Sequence, residues 1–256
     1  MLFDSHAHLN DKKLYGDLPD VLQRAAAAGV TRILNAGADW PSSLMSVRLA
    51  EKYPGQIYAA VGVHPHDAKT LTEEMLQKLL KLAEAPGVVA WGEIGLDYYR
   101  DLSPRAVQQS AFIAQIAAAK AAKKPIIIHD REAHGDILRL ARQERAGENG
   151  GGFHCFSGSW EMAKECLSLG FMISFAGPLT FANAPKLSEV AAQVPPDMML
   201  VETDSPYLSP HPHRGQVNEP ARVSLVAARL AEIRGQSFEE VAEMTARNAC
   251  RLFGIS

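Results

Sequence analysis

Eight short runs rich in β-branched, aromatic or aliphatic residues recur along the 256-residue chain, and stretches with apolar residues at helical spacing lie between them. This βαβα alternation restricts the chain to folds in which parallel strands are joined by crossover helices. Strands are predicted near residues 2 to 8, 32 to 37, 57 to 63, 88 to 94, 125 to 129, 151 to 155, 171 to 176 and 198 to 203. One intervening helix, DLPDVLQRAAAAG, presents Leu18, Val21, Leu22 and Ala25 on one face and ends at Gly29. The segment TEEMLQKLLKLAEAPG repeats the design. Two more helices are predicted after the last strand, near 219 to 234 and 237 to 253, the second capped by Ser237 with Glu240 three residues on. Chain length matches a single α/β barrel of about 250 residues. The expectation is a (β/α)8 TIM barrel over residues 1–256 in one domain, with an extra C-terminal helix. An open doubly wound sheet competes, but no GxGxxG or GxxxxGK[ST] loop is present to serve it.

Composition narrows the setting. With 47% hydrophobic and 21% charged residues the balance is that of an ordinary globular protein. Cys155, Cys166 and Cys250 make an odd set, and no apolar signal segment follows Met1, so a cytoplasmic protein without a disulfide framework is expected. No run approaches the roughly 20 apolar residues of a spanning helix. A net charge of −3 lacks the broad basic footprint of a duplex-coating protein, so any nucleic-acid contact should be local. No feature marks an obligate protein partner, and a monomer is expected.

In a barrel the chemistry sits at the carboxyl ends of the strands, so polar residues that end apolar strands are the ones to weigh. The first strand ends in FDSHAHLN, and period-two alternation puts His6 and His8 on one side. That pair alone is as compatible with ordinary polar residues as with a metal. The fourth strand, VVAWGEIGLD, encloses Glu93 among apolar residues, where a carboxylate is costly unless a cation or donors meet it. PIIIHDRE ends its isoleucines in His129, GGGFHCFSG sets His154 between aromatics, and MMLVETDSPY ends in Asp204 with Glu202 two residues earlier. Four imidazoles and two carboxylates arriving from five strands suit Zn²⁺, Mn²⁺ or a related ion, and Mg²⁺ with added waters. Six ligands exceed the three of one catalytic zinc. Two divalent ions about 3.5 to 4 Å apart are therefore expected, with water as nucleophile and Glu93 as the shared carboxylate.

The segments HAH, GVHP, GEIGLDYYR, IIIHDREA, FHCFSGS, ETDSPYL and RGQVNEP together resemble the TatD family of metal-dependent deoxyribonucleases, in order and over nearly the whole chain. The resemblance implies one ion on His6, His8, Glu93 and Asp204, a second on Glu93, His129 and His154, and a role for Asp204 with the proton of the attacking water. It also implies DNA as substrate. The chain departs from the family at Asp130, where a small hydroxyl residue is usual, and at Gln216 and Val217, which often are basic. Lost positive charge there weakens phosphate attraction.

Further candidates face a substrate. Arg131 and Arg214 fall in matched motifs and suit a phosphate, while Arg100 is equally compatible with a surface salt bridge. His64 in GVHP is read as a substrate contact, with orientation of a neighbouring ligand as the alternative. Glu202 is read as the acceptor for the free N–H of a metal-bound histidine. Tyr98 and Tyr99 have the chemistry to stack a base, but loop aromatics pack at least as often. His211 and His213 lie in a proline-broken loop and are assigned to the rim. Lys120, Lys123 and Lys124 are assigned to a helix end. A barrel mouth with few basic residues favours chain ends over duplex interiors, hence 3′-end trimming of single strands. Ester or amide hydrolysis, such as deacylation of a misacylated transfer RNA, is the alternative chemistry, and a non-catalytic metal-binding protein is the alternative class.

Overall fold

The computed structural model describes residues Met1–Ser256. Its elements in chain order are β1 (Leu2–Ala7), α1 (Lys12–Tyr15), α2 (Leu18–Ala27), β2 (Val30–Ala36), α3 (Trp40–Lys52), β3 (Ile57–Val61), α4 (Glu73–Leu82) and β4 (Val88–Asp97). Next come α5 (Arg105–Ala121), β5 (Ile126–Arg131), α6 (His134–Gln143), β6 (Gly151–Phe153), α7 (Trp160–Ser168) and β7 (Phe171–Phe175). The chain finishes with α8 (Pro185–Gln193), β8 (Met199–Val201), α9 (Val223–Arg234) and α10 (Phe238–Phe253). The strands stand in the sheet in chain order, β1 to β8. All eight expected strands are present. β1, β6, β7 and β8 are buried at every residue, as parallel strands covered on both faces must be.

Contacts gather the chain into two compact units. One comprises Met1–Asn35, His154–Lys164 and Ile173–Ser256. Within it β1 pairs in parallel with β2, setting Asp4 opposite Ile33, and β7 pairs with β8, setting Phe175 opposite Val201. Just beyond β8, Ser205 bridges to Ala7 in parallel. Phe3 of β1 meets Phe253 of α10 with ring centroids 5.8 Å apart, so the extra C-terminal helix closes over the first strand. Burying one such phenyl ring stabilises by about 1.5 to 3 kcal/mol. The α10 helix starts as the sequence predicts: the Ser237 side chain accepts from the Glu240 N–H, and Glu240 reaches back to the Ser237 N–H.

The other unit comprises Ala36–Phe153 and Glu165–Met172. Here β3, β4, β5 and β6 pair in parallel, with Ala60 opposite Ala90, Ile94 opposite Ile128 and Ile128 opposite Phe153. Phe153 and Phe171 pack edge to face at 5.4 Å. Buried Trp91 donates its indole N–H to Gln115 Oε1 at 3.3 Å.

Several strand ends differ from expectation: β3 stops at Val61, and β5 runs on to Arg131. β4 runs on to Asp97, because Gly95, Leu96 and Asp97 stay in register with His129, Asp130 and Arg131 of β5. Only glycine fits at 95: its φ is +147°, and a Cβ there would collide with the His129 carbonyl oxygen. β6 and β8 stop early, at Phe153 and Val201, so His154 and Asp204 lie just past strand ends rather than within strands.

Candidate metal centre

In the first unit, β1 carries His6 into full burial, and His8 follows just past its end. The two Nε2 atoms approach to 3.2 Å. Each also lies near Asp204 Oδ1, at 3.7 Å from His6 and 3.6 Å from His8. Asp204 reaches this position in a left-handed backbone conformation, φ 53°, which aspartate tolerates better than most residues. Its N–H donates to the His6 carbonyl at 2.9 Å, and the His8 N–H donates to Ser205 O at 2.7 Å, so backbone bonds join the two carriers. The ring of His154 stacks on that of His6 at 4.1 Å and 18°. Burial pushes the Asp204 carboxyl up, but His8, His154 and His6 outweigh it and hold the group below the ordinary carboxylate range.

Buried carboxylates support this cluster from behind. Glu202 Oε1 lies 3.3 Å from His154 Nδ1 and accepts the Cys155 N–H at 2.7 Å, while Oε2 accepts from Ser174 Oγ. Asp4 accepts from both the N–H and the hydroxyl of Thr203, at 2.8 and 2.6 Å, which ties β1 to the residue before Asp204. Burial pushes the Asp4 carboxyl up to about 8, against its Thr203 hydrogen bonds and with help from the Glu202 charge.

In the second unit, Glu93 on β4 is 3% exposed, and its Oε1 lies 2.7 Å from His129 Nδ1 and 3.5 Å from His64 Nε2. The other nitrogen of His129 lies 3.2 Å from Asp97 Oδ2, which is also 2.8 Å from His66 Nε2. Asp97 Oδ1 accepts the N–H groups of Tyr99 and Arg100 at 3.0 and 2.8 Å. Gln108 grips the same residue through its backbone, donating to Asp97 O and accepting from Asp97 N. Burial raises the Asp97 carboxyl, but bonds from His129, the Arg100 N–H and His66 outweigh it and hold the group far below its ordinary range. His64 Nδ1 accepts the His66 N–H at 3.1 Å, so a neutral His64 carries its proton on Nε2 and points a donor, not a lone pair, towards Glu93.

Ligand atoms of His6, His154 and Glu202, and again those of His64, Glu93 and His129, all lie within 4.8 Å of one another in their group. Imidazole nitrogens facing carboxylate oxygens at low exposure form a donor set that fits a divalent cation of the zinc or manganese type. Positive charge there relieves the desolvated carboxylates.

Of the substrate candidates, His64 is buried whereas the arginines are exposed. The Arg131 guanidinium lies 3.9 Å from the Tyr99 ring centroid, and that of Arg214 lies 4.2 Å from the Phe181 centroid. Arg100 is exposed. Tyr98 is fastened instead: its hydroxyl meets Asp136 at 2.9 Å and Gln109 at 2.7 Å, with Arg105 over its ring. Lys120 and Lys124 cap neighbours rather than their own helix, donating to Glu144 O and Val88 O. Sequence reading missed Asp97, His66 and Asp4. For Asp97 the signal was available, since residues 93 and 97 share a side of one strand by the alternation already applied to His6 and His8.

A profile of the family described as TatD related DNase matches residues 3–254. The chain belongs to the TatD family. Within it, the uncharacterized metal-dependent hydrolase YabD of Bacillus subtilis is 47% identical over 256 residues, covering both chains completely. A 3′-5′ ssDNA/RNA exonuclease TatD of Edwardsiella piscicida is 34% identical over 260 residues, again covering both. Among solved structures, the TatD homolog YjjV of Escherichia coli matches with a TM-score of 0.94 and 32% identity, covering 100% of this chain and 98% of that one. The fold is thus the expected (β/α)8 barrel, and the protein is a metal-dependent hydrolase of the TatD family. No helix is long and apolar enough to cross a membrane.

Proposed function

We propose that this TatD protein is a two-metal phosphodiesterase that trims DNA from 3′ ends, preferentially on single strands. The observation that carries the reading is the pairing of buried carboxylates with imidazoles at the strand ends, Asp204 with His6 and His8, and Glu93 with His129. One divalent ion is assigned to His6, His8, Glu93 and Asp204 and a second to Glu93, His129 and His154, as family resemblance implies. Zn²⁺, Mn²⁺ and Mg²⁺ all suit this set. Bound there, the ions supply positive charge that polarises the scissile phosphoryl group and makes water a better nucleophile near neutral pH.

The chain's own groups do the rest. Asp204, held ionised by its imidazole neighbours, accepts the proton of the attacking water. Glu202 holds the His154 ring at Nδ1, leaving Nε2 as the ligand atom. His64 directs its Nε2 proton towards Glu93, and we assign it a contact with the substrate. Arg131 and Arg214 offer guanidinium forks to the phosphate backbone. That a TatD relative is called a 3′-5′ ssDNA/RNA exonuclease supports the polarity and strand preference.

The test is nucleotide release from a 3′-labelled single-stranded DNA by the purified protein with Mn²⁺ or Mg²⁺. Wild type is expected to release mononucleotides; Asp204→Asn is expected to lose about 10²-fold or more of kcat, the scale for removing a general base, and Glu93→Gln is expected to lose activity with the shared carboxylate that holds the ions. No release by the metal-loaded wild type, or cuts only inside an intact duplex, overturns the proposal; hydrolysis of an aminoacyl ester in its place assigns acyl chemistry.

A further inference from the structure

We infer that Tyr99, with the Arg131 guanidinium against its ring, is a stacking platform for an unpaired nucleobase of the strand being trimmed. The inference rests on the single-stranded nucleic-acid reading above.

The two adjacent tyrosines are built differently. Tyr98 has its hydroxyl bonded to Asp136 and Gln109 and its ring under Arg105, so it is committed to packing. Tyr99 is 64% exposed, a large apolar ring left largely in water. The Arg131 guanidinium carbon lies 3.9 Å from its centroid, well within cation–π range, so a cation backs the ring while the exposure leaves surface for a planar partner. Such a ring flanked by a guanidinium matches the two faces a nucleotide presents, a flat base and an anionic phosphate.

Placement aims the platform at the chemistry. Arg131 is two residues beyond His129 on β5, so their side chains leave the strand on the same side. Asp97 and Arg131 are register partners, and the Tyr98 N–H donates to Arg131 O at 2.9 Å. The Asp97 carboxylate that meets His129 through Oδ2 also accepts the Tyr99 N–H through Oδ1. One buried group thus fixes both the imidazole beside Glu93 and the backbone of the stacking residue. The backbone that carries the ring is held before substrate arrives, which spares the entropy of ordering a loop on binding.

The test compares Tyr99→Ala, Tyr99→Phe and Tyr99→Trp with wild type on a dodecathymidylate and on the same strand with its last three 3′ nucleotides made abasic. Trimming by the Mn²⁺-loaded enzyme gives kcat and KM, and fluorescence anisotropy on an Asp204→Asn background gives binding without cleavage. Tyr99→Ala is expected to raise KM and the dissociation constant for the full strand by roughly five- to a hundredfold, the range for deleting one base stack, with kcat little changed. Phe and Trp should keep the affinity. On the abasic strand wild type should bind as weakly as Tyr99→Ala. Binding of the full strand by Tyr99→Ala within twofold of wild type, or an equal loss on both strands, overturns the inference. Its failure is distinct from failure of the function above: trimming that is indifferent to Tyr99 removes the platform and leaves the nuclease. Base-dependent binding without trimming does the reverse.

Discussion

Asp97 shows what a single buried side chain can coordinate. It is fully buried, takes four hydrogen bonds and joins His129, His66 and two backbone amides. Carboxylates that hold the far nitrogen of a ligating histidine fix its tautomer and raise its basicity, and losing one typically lowers metal affinity 10- to 100-fold. Asp97→Asn keeps a carbonyl for the Tyr99 and Arg100 amides but replaces Oδ2 with an NH₂ that cannot accept from two imidazoles. Titration of the metal-free protein with Zn²⁺ or Mn²⁺ should then show one weakened site, by about 10- to 100-fold, with the melting temperature of the metal-free form nearly unchanged. Wild-type affinity in that variant would deny Asp97 any positioning role. The ligand candidates themselves were legible because each is a polar residue that ends an apolar run or interrupts one. Asp97 shares the side of Glu93 on one strand, a signal that alternation offered, but neither it nor Asp4 carries any mark of which imidazole or hydroxyl another strand will bring to it.

Among the elements, helix termini and strand beginnings followed the sequence most closely, because capping and apolar periodicity are local. The α10 helix is the plainest case, with its box of Ser237 and Glu240, a left-handed Gly254 at its end and a buried stripe through Val241, Thr245 and Phe253. Its cap is exposed and remote from the candidate site, so Ser237→Ala should cost about 1 kcal/mol in urea unfolding and leave metal binding and turnover unaltered. A loss above about 2 kcal/mol would mean that α10 does more than cover β1. Strand ends were harder to read. The extension of β4 to Asp97 depends on its register with β5, and the early stops of β6 and β8 depend on Glu202 and Asp4 taking backbone N–H groups that a longer ladder would have used. These are partners far apart in sequence, which periodicity does not see.

For the molecule as a whole, eight alternations and a length suited to one barrel predicted the architecture, whereas nothing in that even repeat marks the grouping into two compact units. Each unit concentrates carboxylates and imidazoles at low exposure: Asp204, His6 and His154 in one, Glu93, Asp97 and His64 in the other. Burying such groups is costly without a cation, so metal binding and folding are coupled. A ligand at 100 times its dissociation constant adds about 2.7 kcal/mol to the stability of the form that binds it. With roughly 2 to 4 °C per kcal/mol for a chain of 150 to 250 residues, chelation by EDTA should lower the melting temperature by about 5 to 10 °C per site lost. Restoring Zn²⁺, Mn²⁺ and Mg²⁺ singly to the stripped protein should recover the loss in an order that identifies the preferred ion. Glu93→Gln should blunt the recovery, because the amide offers the ions a neutral oxygen in place of a charged one. A melting temperature indifferent to EDTA, in protein shown by elemental analysis to have carried metal, would mean that the carboxylates are satisfied by their hydrogen bonds alone.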